Sequence, residues 1–305
     1  MEAWVSTHQK QKIGEKNMHL KKYCAADLGA IEKINSFCAL SIKYHGDIKE
    51  ENILCVIDEN EKLIGTGYLK FDERLRIKGK LVIGFSTSIE EAHQGDMDAE
   101  GMLMDGLISR FHEIKRTVSD GEVCLRTCCE SDEIRSMQHL MDKGFCLSSV
   151  IPVLKYDLSQ ETKHYDIPGD VRINEYAFTD ENIKKYIHAD AAASDMPESE
   201  ADIRFITGDP NFKCFTATCD SEVVGAISVW NITDKRAATE NIFVAPSFRR
   251  KNLARELIAV AFDELKGRGM EIATLSMSGT NMPAMKLYLS CGYTLYYNLI
   301  EMLYQ

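Results

Sequence analysis

Gly144 and Gly292 stand roughly 148 residues apart. Each ends a predicted helix, the first over 132–143 and the second within "NMPAMKLYLSCGY", by the left-handed exit that glycine makes easily. The elements ahead of them repeat in the same order. In the amino half, "HLKKYCA" reads as a strand, 27–42 as a helix, and "NILCVID", "KLIGTGYLKF" and "KLVIGFST" as strands; a helix over 98–115 and the strand "EVCLRTCC" follow, and a strand runs through "SSVIPVLKYDL" after Gly144. In the carboxyl half the strand "VRINEYA" and helices over 179–192 and 198–207 precede "FKCFTATCD", "EVVGAISVWNI" and "AATENIFVA". A helix from Asn252, the strand "EIATLSMS", the second glycine-ended helix and "TLYYNLIEMLY" complete the series. Between the halves lies the polar stretch "LSQETKHYDIPGD", with Pro168-Gly169 as its turn signal. A chain with this doubled order is expected to fold as two copies of one α/β (α+β layered) domain, 1–160 and 161–305, each a sheet flanked by helices.

Composition narrows the function. Of 305 residues, 45% are hydrophobic, sufficient for packed cores. The net charge is −11, with 21 basic against 26 acidic residues in 1–160 and 15 against 21 in 161–305. Neither half carries the basic surplus of a nucleic-acid binder. No apolar run is long enough for a signal peptide or a membrane span. Ten cysteines without a signal read as reduced thiols of a cytoplasmic protein. They form no Cys-x-x-Cys, and the eight histidines form no ligand pair, so no metal site is expected.

One local feature runs against helix electrostatics. The helix from Asn252 carries Leu253, Leu257, Ile258, Ala261 and Leu265 at helical spacing, yet Arg249, Arg250 and Lys251 precede it. Cations are unfavourable at the positive end of a helix dipole. They become sensible if that end binds a polyanion such as a pyrophosphate, held by the free backbone N–H groups of 250–255 and by charge-assisted contacts from the arginines. A solvated basic loop is the plain alternative.

The surrounding residues resemble the GNAT superfamily of N-acetyltransferases, whose pyrophosphate motif reads Val-x-Pro-x-x-Arg/Gln-x-x-Gly-x-Gly/Ala. Here it stands as Val244-Ala245-Pro246-Ser247-Phe248-Arg249-Arg250-Lys251-Asn252-Leu253-Ala254. Asn252 replaces the first glycine; asparagine is the side-chain-bearing residue most tolerant of left-handed backbone. "TNMPAMKLYLSCGY" resembles the family's Asn-x-x-Ala-x-x-x-Tyr-x-x-x-Gly-Phe/Tyr segment through Asn281, Ala284, Tyr288, Gly292 and Tyr293. The resemblance implies two tandem GNAT-like domains, each with a mixed, mostly antiparallel sheet. It also implies acetyl-CoA as co-substrate and an amine acceptor on a small molecule or peptide, which attacks directly. Its implied cofactor-binding residues are Ile242, Phe243 and Val244 through their main chain, then Arg249, Arg250, Lys251, Asn252, Leu253, Ala254 and Arg255, with Asn281 on the pantetheine arm. Tyr288 would be the general acid that protonates the departing thiolate. Glu240 would be the general base, its plain alternative being a surface glutamate on an alternating strand.

The amino half lacks this chemistry. Its corresponding segment, "STSIEEAHQGDMDAEGM", carries Glu90, Glu91, Asp96, Asp98 and Glu100 and no lysine or arginine. Counted back from the glycines, Leu140 stands at the place of Tyr288 and Glu133 at that of Asn281. A degenerate copy beside one working site is the expected arrangement. The alternatives are a non-catalytic CoA- or acyl-CoA-binding sensor and an interaction protein of the same fold. The acceptor pocket is expected within 186–212.

Overall fold

The computed structural model describes residues 18–44, 47–77, 79–93, 97–118, 123–194 and 197–305. The described part of the amino half comprises β1 (His19–Lys22), α1 (Leu28–Ile34), α2 (Ser36–Tyr44), β2 (Ile53–Ile57), β3 (Leu63–Ile77), β4 (Lys80–Ile89), α3 (Met97–Thr117), β5 (Val123–Glu130), α4 (Ile134–Asp142) and β6 (Cys146–Asp157). The carboxyl half continues with β7 (Arg172–Glu175), α5 (Ile183–Ala193), α6 (Glu200–Ile206), β8 (Lys213–Cys219), β9 (Glu222–Asn231), β10 (Arg236–Val244), α7 (Leu253–Gly267), β11 (Ile272–Ser276), α8 (Met282–Ser290) and β12 (Thr294–Tyr304). Nearly every predicted element is present. The single helix expected over 27–42 is two, because Asn35 leaves helical geometry (φ −155°, ψ 105°) and its Oδ1 accepts from the N–H of Cys38 at 2.9 Å, starting α2 afresh.

The chain forms two compact units, each drawn from several stretches of sequence. One is built within 1–40, 48–70 and 85–117, the other within 41–47, 71–84 and 118–305. In the first, β1, β2 and the start of β3 form an antiparallel ladder, with His19 opposite Ile57 and Leu54 opposite Gly67. Helix α3 buries Ala99 and Leu103 against Val56 and Ile64.

In the second unit, β5 to β12 form a sheet that is antiparallel except where β4 pairs with β5 and β10 with β11. Strand β12 lies between β5 and β6, antiparallel to both, and β6 goes on to pair with β11. Each half of the sequence thus gives its last strand to a ladder of the other half. The 148-residue spacing survives in the packing. Gly144 has φ +96° under the ring of Tyr304, and Gly292 has φ +94° under the ring of Tyr156. Helix α7 seals one face by burying Leu253, Leu257, Ile258, Ala261 and Leu265, the stripe read from the sequence.

Candidate active site

The site begins where two parallel strands part. Pairs join β10 to β11 only over Arg236–Ala238 and Ile272–Thr274. The β10–β9 ladder then shifts register between Glu240 and Phe243, and Asn241 takes φ +46°. Helix α5 fixes this bulge. The Asn241 amide donates to Tyr186 Oη at 2.9 Å and to Asp190 Oδ2 at 3.3 Å, and fully buried Asp190 also accepts from the N–H of Glu198 at 2.8 Å. Beyond Ala238 no pair joins β10 to β11, so along Ile242, Phe243 and Val244 the edge that faced β11 has no strand partner, with the Val244 carbonyl taken by the Arg249 side chain. The side chains of Phe243 and Val244 are buried in the core, as the alternation predicts.

Next to that edge the chain turns into α7. Pro246 opens a short 3-10 turn, and Arg250 (φ +63°) and Asn252 (φ +62°) both adopt left-handed backbone. Asparagine therefore takes the conformation for which a glycine would be the usual residue. Among the described residues the N–H groups of 250–255 meet no backbone acceptor; the next one, Glu256, donates to the carbonyl of Asn252. Six uncommitted donors at the head of a 15-residue helix make a concave, electropositive cradle.

The four cations around the cradle have different surroundings. The Arg249 guanidinium donates to the carbonyls of Val244 (3.0 Å) and Ala193 (2.9 Å), so its side chain ties β10 to α5. Arg255 donates to Asn252 Oδ1 and Ser290 Oγ, joining α7 to α8. The Lys251 ammonium lies 5.2 Å from the Phe248 ring centre, and Arg250 is exposed beside the cradle. Leu253 is buried core, leaving its backbone to the cradle, and Ala254 is half-buried behind it.

Helix α8 brings the second motif to the same core cluster. Asn281 caps it by accepting from the N–H of Ala284 at 3.2 Å. Tyr288 is half-buried, edge-on to Tyr293 at 5.8 Å, and packs on the cluster that also holds Val244, Leu253 and Ile242. Burial, with a smaller contribution from Cys291, pushes the Tyr288 phenol up to about 12, so it is a proton donor at neutral pH. Tyr293 is buried and shares a 2.7 Å hydrogen bond with Thr239, the residue before Glu240. Thr239, Asn241 and Asp190 escaped the sequence reading; the one available signal was a run of three polar residues, Thr239 to Asn241, in an otherwise apolar strand.

Glu240 lines a cavity of about 210 Å³ whose other walls come partly from 186–212 and partly from Phe178, Ser228 and Asn241. Its walls include Phe178, Tyr186, Phe212, Glu198 and Asp202. Glu240 is solvent-exposed. The surrounding protein raises its pKa, and the Trp230 indole opposes the rise. In the amino half, Glu90 is paired with Lys62 at 2.6 Å, and Asp98 and Glu100 occupy the first turn of α3, where they favour the helix dipole themselves. Asp96 lies outside the described residues. Glu133 stands at the N-cap position of α4 with nearly the backbone angles of Asn281 (φ −77°, ψ 58° against φ −80°, ψ 71°) but makes no side-chain cap bond, and Leu140 is buried.

Among the described residues, no group of three or more histidine, cysteine, aspartate or glutamate side chains could hold a metal ion. No described helix is long and apolar enough to cross a membrane.

Residues 177–293 match the profile of the "Acetyltransferase (GNAT) family". The streptothricin acetyltransferase of Escherichia coli is 33% identical over 87 residues, a match that spans 28% of this chain and half the length of that protein. Two solved structures are similar over nearly the whole chain. A GCN5-related N-acetyltransferase from Sphaerobacter thermophilus superposes with a TM-score of 0.64 at 13% identity, covering 94% of this chain and 95% of its own. A tandem GNAT protein from the clavulanic acid biosynthesis pathway gives a TM-score of 0.67 at 10% identity, covering 94% and 98%. At these identities the likeness is one of fold, and it extends through both halves.

Proposed function

We propose that the chain belongs to the GNAT acetyltransferase family through residues 177–293 and transfers an acetyl group from acetyl-CoA to an amine at one site in the carboxyl-terminal domain, 161–305. The amino-terminal domain, 1–160, is a degenerate copy. The observation that carries this reading is the coincidence, on one strand and the turn after it, of a β10 edge with no strand partner and the uncommitted N–H groups of 250–255. An extended amide-containing arm completes the first as an added strand, and a diphosphate completes the second. Arg250, Lys251 and Arg255 supply positive charge at the cradle; Arg249 contributes its backbone and holds the end of β10 in place.

The chemistry follows from the groups flanking that edge. Glu240 takes the proton that an ammonium must lose before it can attack, and its raised pKa makes it a stronger base than an ordinary carboxylate. Main-chain N–H groups near Val244 polarise the thioester carbonyl. The amine nitrogen forms the new C–N bond, the C–S bond breaks as Tyr288 gives its proton to the thiolate, and the second proton shed by the nitrogen passes through solvent to restore the Tyr288 phenol. Asn281 orients the arm at the head of α8.

Two measurements test this on the full chain. Calorimetric titration with acetyl-CoA is expected to show one site, and thiol release over a panel of primary amines is expected to show turnover. Absence of acetyl-CoA binding overturns the reading. Binding without turnover on any amine converts the protein into a CoA-binding sensor.

A further inference from the structure

Tyr293 carries a buried hydroxyl that packing alone does not require. The amino half has Phe145 at the same place after its glycine, and Phe145 is likewise buried, at 2% exposure against 1% for Tyr293. A ring thus fills the position without a phenol. Burying a hydroxyl is unfavourable unless it finds a partner. The amino half, which has no counterpart of the Tyr288 phenol or the Asn281 amide, lacks this hydroxyl as well.

The hydroxyl reaches the point where two strands part. Ala238 and Thr274 make the last pair between β10 and β11; β11 stays with β6 through Ser276. Thr239 Oγ1 lies 2.7 Å from Tyr293 Oη and 3.3 Å from the carbonyl of Thr274. A threonine hydroxyl has one proton and a carbonyl can only accept, so Thr239 donates to Thr274 and Tyr293 donates to Thr239. The Thr274 hydroxyl in turn donates to the carbonyl of Ala237 at 3.1 Å. Three hydroxyls, on residues at most 2% exposed, close the apex of the split.

The same residue grips Tyr288. The Tyr293 N–H donates to the Tyr288 carbonyl at 3.1 Å, and the two rings meet at 65° with centres 5.8 Å apart. Tyr156 and Phe262 also pack on the Tyr293 ring, with centres 5.9 and 5.5 Å away. A ring held by three others has little freedom, so its hydroxyl is a fixed point. Thr239 directly precedes Glu240. One residue therefore joins the segment bearing the base to the helix end bearing the acid.

We infer that Tyr293 is a positioning residue for acyl transfer: its hydroxyl, through Thr239, holds Tyr288 in place relative to Glu240, so that acid and base address one thioester. The roles of Glu240 and Tyr288 rest on the functional reading above; the mechanical link between the strand apex and the end of α8 does not need them.

Full-length Tyr293→Phe, Thr239→Val and Thr239→Ser test this, with Tyr288→Phe as a second background. In single turnover, Tyr293→Phe is expected to slow acetyl transfer by about tenfold while acetyl-CoA affinity, read by calorimetry, stays within about twofold. Thr239→Val repeats that loss, and Thr239→Ser restores the rate. In the Tyr288→Phe background, Tyr293→Phe is expected to slow the reaction by less than about twofold, because it acts through Tyr288. A role in stability alone would leave the whole loss intact there. Amide exchange in ligand-free protein reads the link without any chemistry: Thr239→Val is expected to speed exchange of the Tyr293 N–H by more than about tenfold relative to Ile258 in α7. A wild-type rate in Tyr293→Phe overturns the inference and leaves the acetyltransferase standing, as does the whole loss persisting in the Tyr288→Phe background. If the wild type turns over no amine, the acetyltransferase reading falls and exchange decides: a Tyr293 N–H indifferent to Thr239→Val overturns the link, and a coupled one keeps Tyr293 as the tie between the two segments. If Tyr293→Phe does not fold, the two Thr239 variants decide in its place.

Discussion

A Cβ atom on Gly292 would lie 3.0 Å from the ring of Tyr156, a residue of the strand that closes the other half of the sequence. Gly144 stands in the same relation to Tyr304 at 3.2 Å, and both glycines have φ near +95°. The two contacts, 148 residues apart in the chain, show that the duplication persists in three dimensions, with the terminal strands exchanged. Gly292→Ala is therefore expected to lower stability by about 1–3 kcal/mol, from left-handed backbone strain plus the crowded ring. Urea unfolding of full-length protein measures it, and Gly269→Ala, also at positive φ but with open space around it, separates strain from crowding.

Tyr288→Phe is expected to reduce kcat by about a hundredfold or more while leaving acetyl-CoA affinity within about twofold. The phenol is held near 12, so a loss of rate from its deprotonation falls far above neutral pH. Single-turnover rates between pH 6 and 10 together with acetyl-CoA titration check both statements. Unchanged turnover removes Tyr288 from its role.

Glu240 titrates above the ordinary carboxylate range, so the wild-type rate should climb with pH through that raised value as the base is freed. Glu240→Gln should abolish the inflection. The linkage has a definite sign. A carboxyl whose folded pKa is raised binds protons more tightly folded than unfolded, so its contribution to stability falls as pH rises through the folded value. Glu240→Gln is accordingly expected to melt higher than wild type at neutral pH and to lose that advantage in acid.

The two neighbouring arginines should separate cleanly. Arg250→Glu with Lys251→Glu is expected to weaken acetyl-CoA binding by more than about tenfold, because among the described residues neither side chain bonds a protein acceptor and both are exposed at the cradle. Arg249→Ala removes two carbonyl contacts and should cost about 1–2 kcal/mol of stability. Calorimetry and thermal melts on the same samples distinguish the two. Equal effects of both changes on CoA binding would return Arg249's side chain to the phosphates.

His164 pins the stretch between the halves to α7, with Nδ1 2.9 Å from Glu256 and Nε2 2.9 Å from Asp263. Its pKa is raised, chiefly by the hydrogen bond to Glu256. That contribution is complete below the unfolded value and is lost as pH rises through the raised folded one. Because the side chain is half exposed, His164→Gln should cost less than about 1 kcal/mol, visible in melts at pH 6 and absent at pH 9.

What could be read beforehand was mostly local. The α7 stripe, the two glycine stops and the left-handed tolerance of Asn252 all follow from spacing and residue type, and the structure has each of them. Asn35 defeated the helix over 27–42 because a short side-chain hydrogen bond outcompetes one helical turn, which periodicity does not register. Arg249 sits at the expected place with its guanidinium turned onto carbonyls, since a motif fixes position and not direction. The bulge held by Asp190, and the acids gathered around the cavity, join residues some 40–50 positions apart. No local pattern encodes such meetings.

The insertion of β12 between β5 and β6 has a consequence for synthesis. Those two strands emerge from the ribosome early, and the eleven residues that separate and pair them are made only after α8 is complete. Until then two edges wait unpaired, exposed to misassociation and dependent on closure over a long stretch of chain. Removing Thr294–Tyr304 would thus damage the early half as severely as the late one. A nascent chain stalled before that segment should be a strong client for chaperones.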